Sequence, residues 1–341
     1  MGQSLHKPQN KAAGSSMSSS SALSQYTRRA HHAGSWYEAE KAALDATLTE
    51  FLADADENST LNTTDGIPRA CICPHAGFSY SGPTATYSYL ALKEALESDS
   101  SISTVVVLHP SHHVYLESCA LSGASIIETP LMNLAVDDGL RDQLLSTGKF
   151  QLMTQRVDEH EHSGEMQYPF IAKILLSVCP QREIKVLPIM VGSICTNKEE
   201  SYGKLIASYL ADESVFTVIS SDFCHYGQRF RYTPRLQPSA AKELGINELA
   251  DFIEYIDRKG MDLIQLQRPG AFADYFREYS NTICGRHPLA VWLNAVVANK
   301  ENGREVLDVR FVKYAQSSRV RSADDSSVSY ASAIARLVSG N

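Results

Sequence analysis

Four short apolar runs, ACIC (70–73), TVVVL (104–108), EIKVLPIMV (183–191) and VFTVISS (215–221), are spaced along the chain by segments of a different period. Runs with little alternation read as strands covered on both faces, the usual state of strands in a helix-flanked sheet. The segments between them carry apolar residues at helical spacing: Leu44, Leu48, Phe51 and Leu52, then 83–96 with Pro83 at the first helical position, 165–178 with Pro169 near its start, 198–212, and 287–299. One or two further helices fall in 238–267, and SCALS (118–122) and EVLDVRFVKYA (305–315) read as additional strands. ADADENSTLNTTDG (53–66) is expected to be a surface loop. This alternation predicts a three-layer α/β/α fold with a mixed, largely parallel central sheet. Residues 1–25 are Ser-rich and almost without large apolar groups, so they are expected to be a disordered tail before a single domain over 26–341.

Composition narrows the function classes. The 341-residue chain carries a formal net charge of -8 and no Lys/Arg-rich block, which argues against a nucleic-acid surface. No apolar run approaches the ~18 residues of a membrane span, and no secretory apolar region is visible. The seven cysteines are odd in number and scattered, which favours free thiols in a reducing, cytosolic or nuclear setting over a disulfide framework.

Ten of the eleven histidines sit in short motifs: AHHAGSWY, CPHAGFSYSG, HPSHHVY, DEHEHSGEM, SSDFCHYGQRF and NTICGRHP. Three of these motifs directly follow the strands ACIC, TVVVL and VFTVIS. Ligand sites in open α/β sheets form beyond the carboxyl ends of strands. His75, either His112 or His113, and His225 are therefore expected to converge on one cleft, and spacing leaves the choice between His112 and His113 open. Simpler readings stand beside this. PHAGFSYSG also suits a tight turn, SDFCHYG a helix entry capped by Asp222, and NTICGRHP a helix start with an ordinary buried cysteine. DEHEHSGE reads as a solvated charged loop, with Asp158, Glu159, His160 and Glu161 exposed and Ser163 capping the next helix.

HAGSWY, PHAGFSYSG, PSHHVYLESCALS, DEHEHSGEMQYPF, SSDFCHYGQRFRYTP, NTICGRHP, YAQSS and DSSVSYA occur in this order over residues 28–333, and together they resemble the Memo family, named for a mediator of receptor-driven cell motility. That family is similar in fold to the class III (LigB-type) extradiol dioxygenases. The resemblance implies metal ligands at His75, His112 and Cys284, with Asp222 and His225 lining the same cleft and Trp36 and Tyr80 at other cleft positions. It is also what selects His112 over His113. The chain departs from the family pattern at His109 (for Gly), Phe78 (for Tyr), Tyr226 (for Trp) and Gly164 (for an apolar residue), and His109 is expected to add an imidazole near the cleft.

Two imidazoles and a thiolate suit copper or iron, with zinc also accommodated, and three protein ligands leave positions open. The following helix is expected to help hold Cys284 as thiolate, and Asp222 to orient His225 as an acid or base. Cys284, His225 and Asp222 are thus the expected reactive residues. Three readings follow: a metal-binding protein of redox chemistry or metal handling, a phosphotyrosine-peptide adaptor using Arg229 or Arg231 or a pocket for another small molecule, and a zinc hydrolase or dioxygenase-like enzyme. Ring cleavage is not expected, because Cys284 stands where the dioxygenases use a carboxylate.

Overall fold

The computed structural model describes residues 26–58 and 66–338. The expected tail at 1–25 lies outside the described residues. Among the described residues there are twelve strands: β1 (Tyr26–Arg28), β2 (Pro68–Cys73), β3 (Thr104–Pro110), β4 (Cys119–Leu121), β5 (Ala124–Ile127), β6 (Leu134–Ala135), β7 (Phe150–Leu152), β8 (Lys185–Val191), β9 (Val215–Ser220), β10 (His225–Tyr226), β11 (Leu307–Gln316) and β12 (Ser327–Leu337). The helices are α1 (Lys41–Asn58), α2 (Phe78–Ser98), α3 (Asp138–Ser146), α4 (Gln155–His160), α5 (His162–Glu165), α6 (Tyr168–Val178), α7 (Thr196–Leu210), α8 (Pro238–Leu244), α9 (Leu249–Gln265), α10 (Pro269–Tyr279) and α11 (Arg286–Glu301).

Nine strands form the main sheet, in the order β10-β12-β2-β9-β3-β8-β4-β7 with β11 beside β12. The four apolar runs become its centre: β2, β9, β3 and β8 are mutually parallel and almost wholly buried. Antiparallel pairing is confined to the flanks, where β12 meets β2, β10 and β11, and β4 meets β8. Helices α1, α2 and α6 pack together, with α2 on β2 and β12, while α7 and α11 pack against each other and against β9. The chain is therefore a three-layer α/β/α structure around a mixed sheet. Continuous Val/Ile/Leu runs sit at its centre, where each strand is covered on both faces.

Two local expectations are corrected. The helix read from Pro83 begins at Phe78, so Pro83 lies inside it. The carbonyl that Pro83 leaves without an amide partner belongs to exposed Ser79, where water can satisfy it. ADADEN is not loop but the last turns of α1, because Ala55 packs against Tyr87 and Leu90. No helix among the described residues is long and apolar enough to cross a membrane.

Candidate metal centre

The carboxyl ends of β2, β9 and β3 are neighbours, and the chain leaves each of them into a histidine or acidic motif. Just past β2 stands His75, which is buried; just past β3 stands His112; just past β9 stands Asp222. The fourth segment arrives from the far end of the chain. The turn before α11 lays Cys284 over this edge, with its Sγ 3.1 Å from His75 Nε2. Gly285 makes the approach feasible. A Cβ there would lie 2.3 Å from Ser221 Cβ and 2.6 Å from the Ser220 carbonyl, whereas the bare glycine lets its N–H donate to Ser221 Oγ at 3.2 Å. His75, His112 and Cys284 bring one ligand atom each to positions within 4.8 Å of one another.

Hydrogen bonds determine which face each imidazole offers. The Ser220 hydroxyl donates to the Ser163 carbonyl at 2.8 Å and accepts from the Gln167 side-chain amide at 2.9 Å. Its remaining lone pair can only accept, so His75 Nδ1, 2.8 Å away, carries the proton and Nε2 is bare. His112 Nδ1 faces Glu161 Oε1 at 2.8 Å. Burial pushes the Glu161 carboxyl up, but the His112 hydrogen bond and the surrounding imidazoles outweigh it and hold the group well below the usual carboxylate range. Glu161 is thus an anion to which His112 Nδ1 donates, which leaves Nε2 as the ring nitrogen not bonded to Glu161. Burial and the neighbouring His112 and His162 keep His75 well below the ordinary imidazole range, so it is neutral.

Asp222 and His225 do not form the expected pair. Asp222 accepts the backbone N–H of His75 at 2.7 Å, and burial raises its carboxyl to about 7. His225 Nδ1 lies 2.9 Å from the Phe223 carbonyl and 3.1 Å from that of Thr282, both of which can only accept, so it donates to backbone. Asp222 therefore orients the backbone at His75, and it caps no helix, since a short strand, β10, follows it. The dipole of α11 does not dominate Cys284. Burial and the nearby Asp222 carboxyl raise the thiol well above its ordinary value, against the lowering by the Asp222 and Gly285 backbone. Trp36 is half-exposed and stacks on His162 at 4.4 Å between ring centroids, while Tyr80 is largely exposed.

The acidic-histidine segment is the largest correction. Asp158, Glu159, Glu161 and Glu165 are buried, His160 alone of the expected group is exposed, and the cap of α5 is Glu161, which accepts from Ser163 N–H. The cause lies far away in sequence: Arg28 comes in from β1 and binds Asp158 and Glu165. His109 is buried in β3 but is not one of the clustered ligands. Its ring instead occupies the space above Gly164, where a Cβ would lie 3.1 Å from His109 Cδ2 and 2.8 Å from the Tyr168 hydroxyl. In this chain a large ring at 109 and the absence of a side chain at 164 are thus sterically matched. Glu161, His162, Ser220 and Gln167 were not expected in the site. DEHEHSGE carried a signal for the first two; nothing in the sequence marked the others.

The Memo-like protein family model matches residues 28–334. The chain belongs to the Memo family. It is 43% identical to Protein MEMO1 of Danio rerio and 42% identical to Protein MEMO1 of Homo sapiens, each over 305 residues, covering 89% of this chain and 95% of the relative. Among solved structures, an uncharacterized protein of Escherichia coli K12 aligns over 77% of this chain and 99% of its own, with a TM-score of 0.43 and 15% identity. Within the Memo family frame, the His/His/Cys cluster of this chain rests on three separate sequence segments joined only by the fold.

Proposed function

We propose that this Memo protein holds copper or iron on His75, His112 and Cys284 and serves intracellular redox chemistry or metal handling. One observation carries the reading: a ring nitrogen from each of His75 and His112 and the Cys284 sulfur lie within 4.8 Å of one another, at the carboxyl edge of a parallel sheet. The donor set fits. Neutral imidazole and thiolate suit copper and iron, and also zinc, and three protein ligands leave positions for water or substrate. When bound, copper or iron would supply one-electron chemistry or a transferable ion. The chain's own contribution is positional. Ser220 and Glu161 hold the imidazoles in the ligating tautomer, Asp222 fixes the backbone at His75, and Gly285 lets Cys284 reach the site.

A second reading has one contact in its favour. The Arg229 guanidinium lies 4.5 Å from the centre of the Phe230 ring, which meets His225 edge-on, so a cation stands beside the cleft where a phosphotyrosine side chain would need one. Metal content of protein purified anaerobically separates the readings. Near-stoichiometric copper or iron in the wild type, lost in Cys284→Ser and His75→Ala, supports the first. Stoichiometric zinc redirects the chemistry to hydrolysis. No metal, with added Cu(I) and Fe(II) also failing to bind folded protein, overturns the metal reading and leaves a peptide or small-molecule pocket.

A further inference from the structure

The metal trio is not the only cluster of ligand atoms in the described residues. His112, Glu161 and His162 also bring one ligand atom each within 4.8 Å of one another. The two clusters share His112, whose ring stacks on His162 at 4.5 Å and meets His75 at 5.2 Å. His162 also meets His75 edge-on at 5.5 Å, so its ring borders both histidines of the trio.

Its ring is not tied down by hydrogen bonding in the way His75 and His112 are. His162 Nδ1 lies 3.6 Å from Glu161 Oε1, beyond hydrogen-bond length. Glu161 Oε1 is crowded by His112 and Ser163, but Oε2 accepts only the His112 backbone N–H and keeps a lone pair. A buried carboxylate with spare acceptor capacity, beside an imidazole with no strong partner, is a place where a cation is stabilised.

The imidazoles continue outward from there. His162 lies 6.0 Å from His32, His32 lies 5.2 Å from His31, and His31 lies 4.7 Å from His160, all between ring centroids. His31 and His160 are exposed, His32 is buried, and His162 is partly covered by Trp36. These five imidazoles run from the surface to the trio, with His32 held in the middle by Glu165, whose Oε2 lies 3.0 Å from its Nδ1.

We propose that a metal ion reaches the trio through a second metal-capable station, Glu161 and His162 with the shared His112, supplied from the surface pair His31 and His160. This rests on the metal reading of the trio. The shared His112 lets the ion exchange Glu161 and His162 for His75 and Cys284 by ligand substitution, with no change of oxidation state and no release to bulk water. The surface pair gathers ions at the rim, where two imidazoles with water completing the shell form a weak, open site. Trp36 over His162 limits the exposure of the intermediate position.

The test is the time course of Co(II) loading into metal-free full-length protein, read by the part of the thiolate-to-cobalt absorption that is lost in Cys284→Ser, since exposed Cys195 also offers a thiol. The expected result is the same final amplitude in wild type, His31→Ala/His160→Ala and His162→Phe, with slower development in both variants. The His162→Phe delay should be about tenfold, the scale on which removing one outer partner of a metal site acts. Phenylalanine keeps the stack with Trp36 and His112, and the surface double variant leaves the core untouched. Equal rates in all three proteins overturn the station while leaving the trio intact. Loss of amplitude in His162→Phe, with its fold intact by circular dichroism, makes His162 part of the resident site and also overturns the station. No thiolate band in the wild type at any cobalt concentration removes the metal reading and the station with it.

Discussion

Two buried polar clusters share one stretch of chain and differ in how they are satisfied. From DEHEHSGE, Asp158 and Glu165 turn toward Arg28, while Glu161 and His162 turn toward the cleft. Around Arg28 every guanidinium proton has an acceptor: Asp158 Oδ1, Glu165 Oε2, and the carbonyls of Arg29, Asp158 and Glu161. The carboxylates are filled in turn by Tyr26, Ser122, Tyr37 and His32. In the cleft, by contrast, the Nδ1 atoms of His75 and His112 are bonded to Ser220 and Glu161, and His75 Nε2 meets only the Cys284 sulfur at 3.1 Å. A buried polar cluster in which donors and acceptors match is a structural knot. One in which two imidazoles and a thiol meet one another offers ligand atoms that a cation would take up in place of the thiol proton.

Breaking each cluster should therefore have opposite consequences. Arg28→Met strands two buried carboxylates and is expected to cost about 3–5 kcal/mol in urea unfolding. A loss below about 1 kcal/mol would show that the knot is not the closed structure described. Metal should act on the cleft alone. At a free concentration of 100 times Kd, Cu(I) is expected to stabilise the wild type by about 2.7 kcal/mol and to leave Cys284→Ser unchanged. Calorimetric midpoints with and without the ion check this. Ser220→Ala frees the His75 tautomer and should weaken metal affinity by about tenfold, or 1.4 kcal/mol, read by competition with a chelator of known affinity. The smallest effect is expected in metal-free Cys284→Ser, where unfolding should move by less than about 1 kcal/mol, because a serine hydroxyl can replace the thiol's contacts with His75 Nε2 and the Asp222 carbonyl. A larger loss would place Cys284 with the knot and erase the contrast.

Much of the fold was legible because its signal is local. ACIC, TVVVL, EIKVLPIMV and VFTVISS need only their own composition to read as covered strands, and each lies in the centre of the sheet. That His75, His112 and Asp222 leave adjacent strand ends follows from the same pattern. The choice of His112 over His113, and the inclusion of Cys284 from so distant a segment, came from the family resemblance. What stayed hidden depended on long-range pairing. DEHEHSGE looks solvated unless Arg28 is known to enter it, Ala55 looks like loop until Tyr87 and Leu90 cover it, and the His75 tautomer is set by Ser220 and Gln167, which no motif marks. The Asp222–His225 pairing failed for a related reason: side chains close in sequence were assumed to serve each other, whereas each bonds to backbone brought in by another segment.

The contact between Cys284 and His75 spans 209 residues of sequence. An ion held there would act as a reversible staple across most of the chain, drawing the amino-terminal strand edge and the start of α11 together without a covalent bond. A cut inside that span would leave the ion as a link between two fragments, beside the pairing of β2 with β12. Protein cut between 233 and 237 should then stay in one piece while loaded and come apart more readily once a chelator removes the ion.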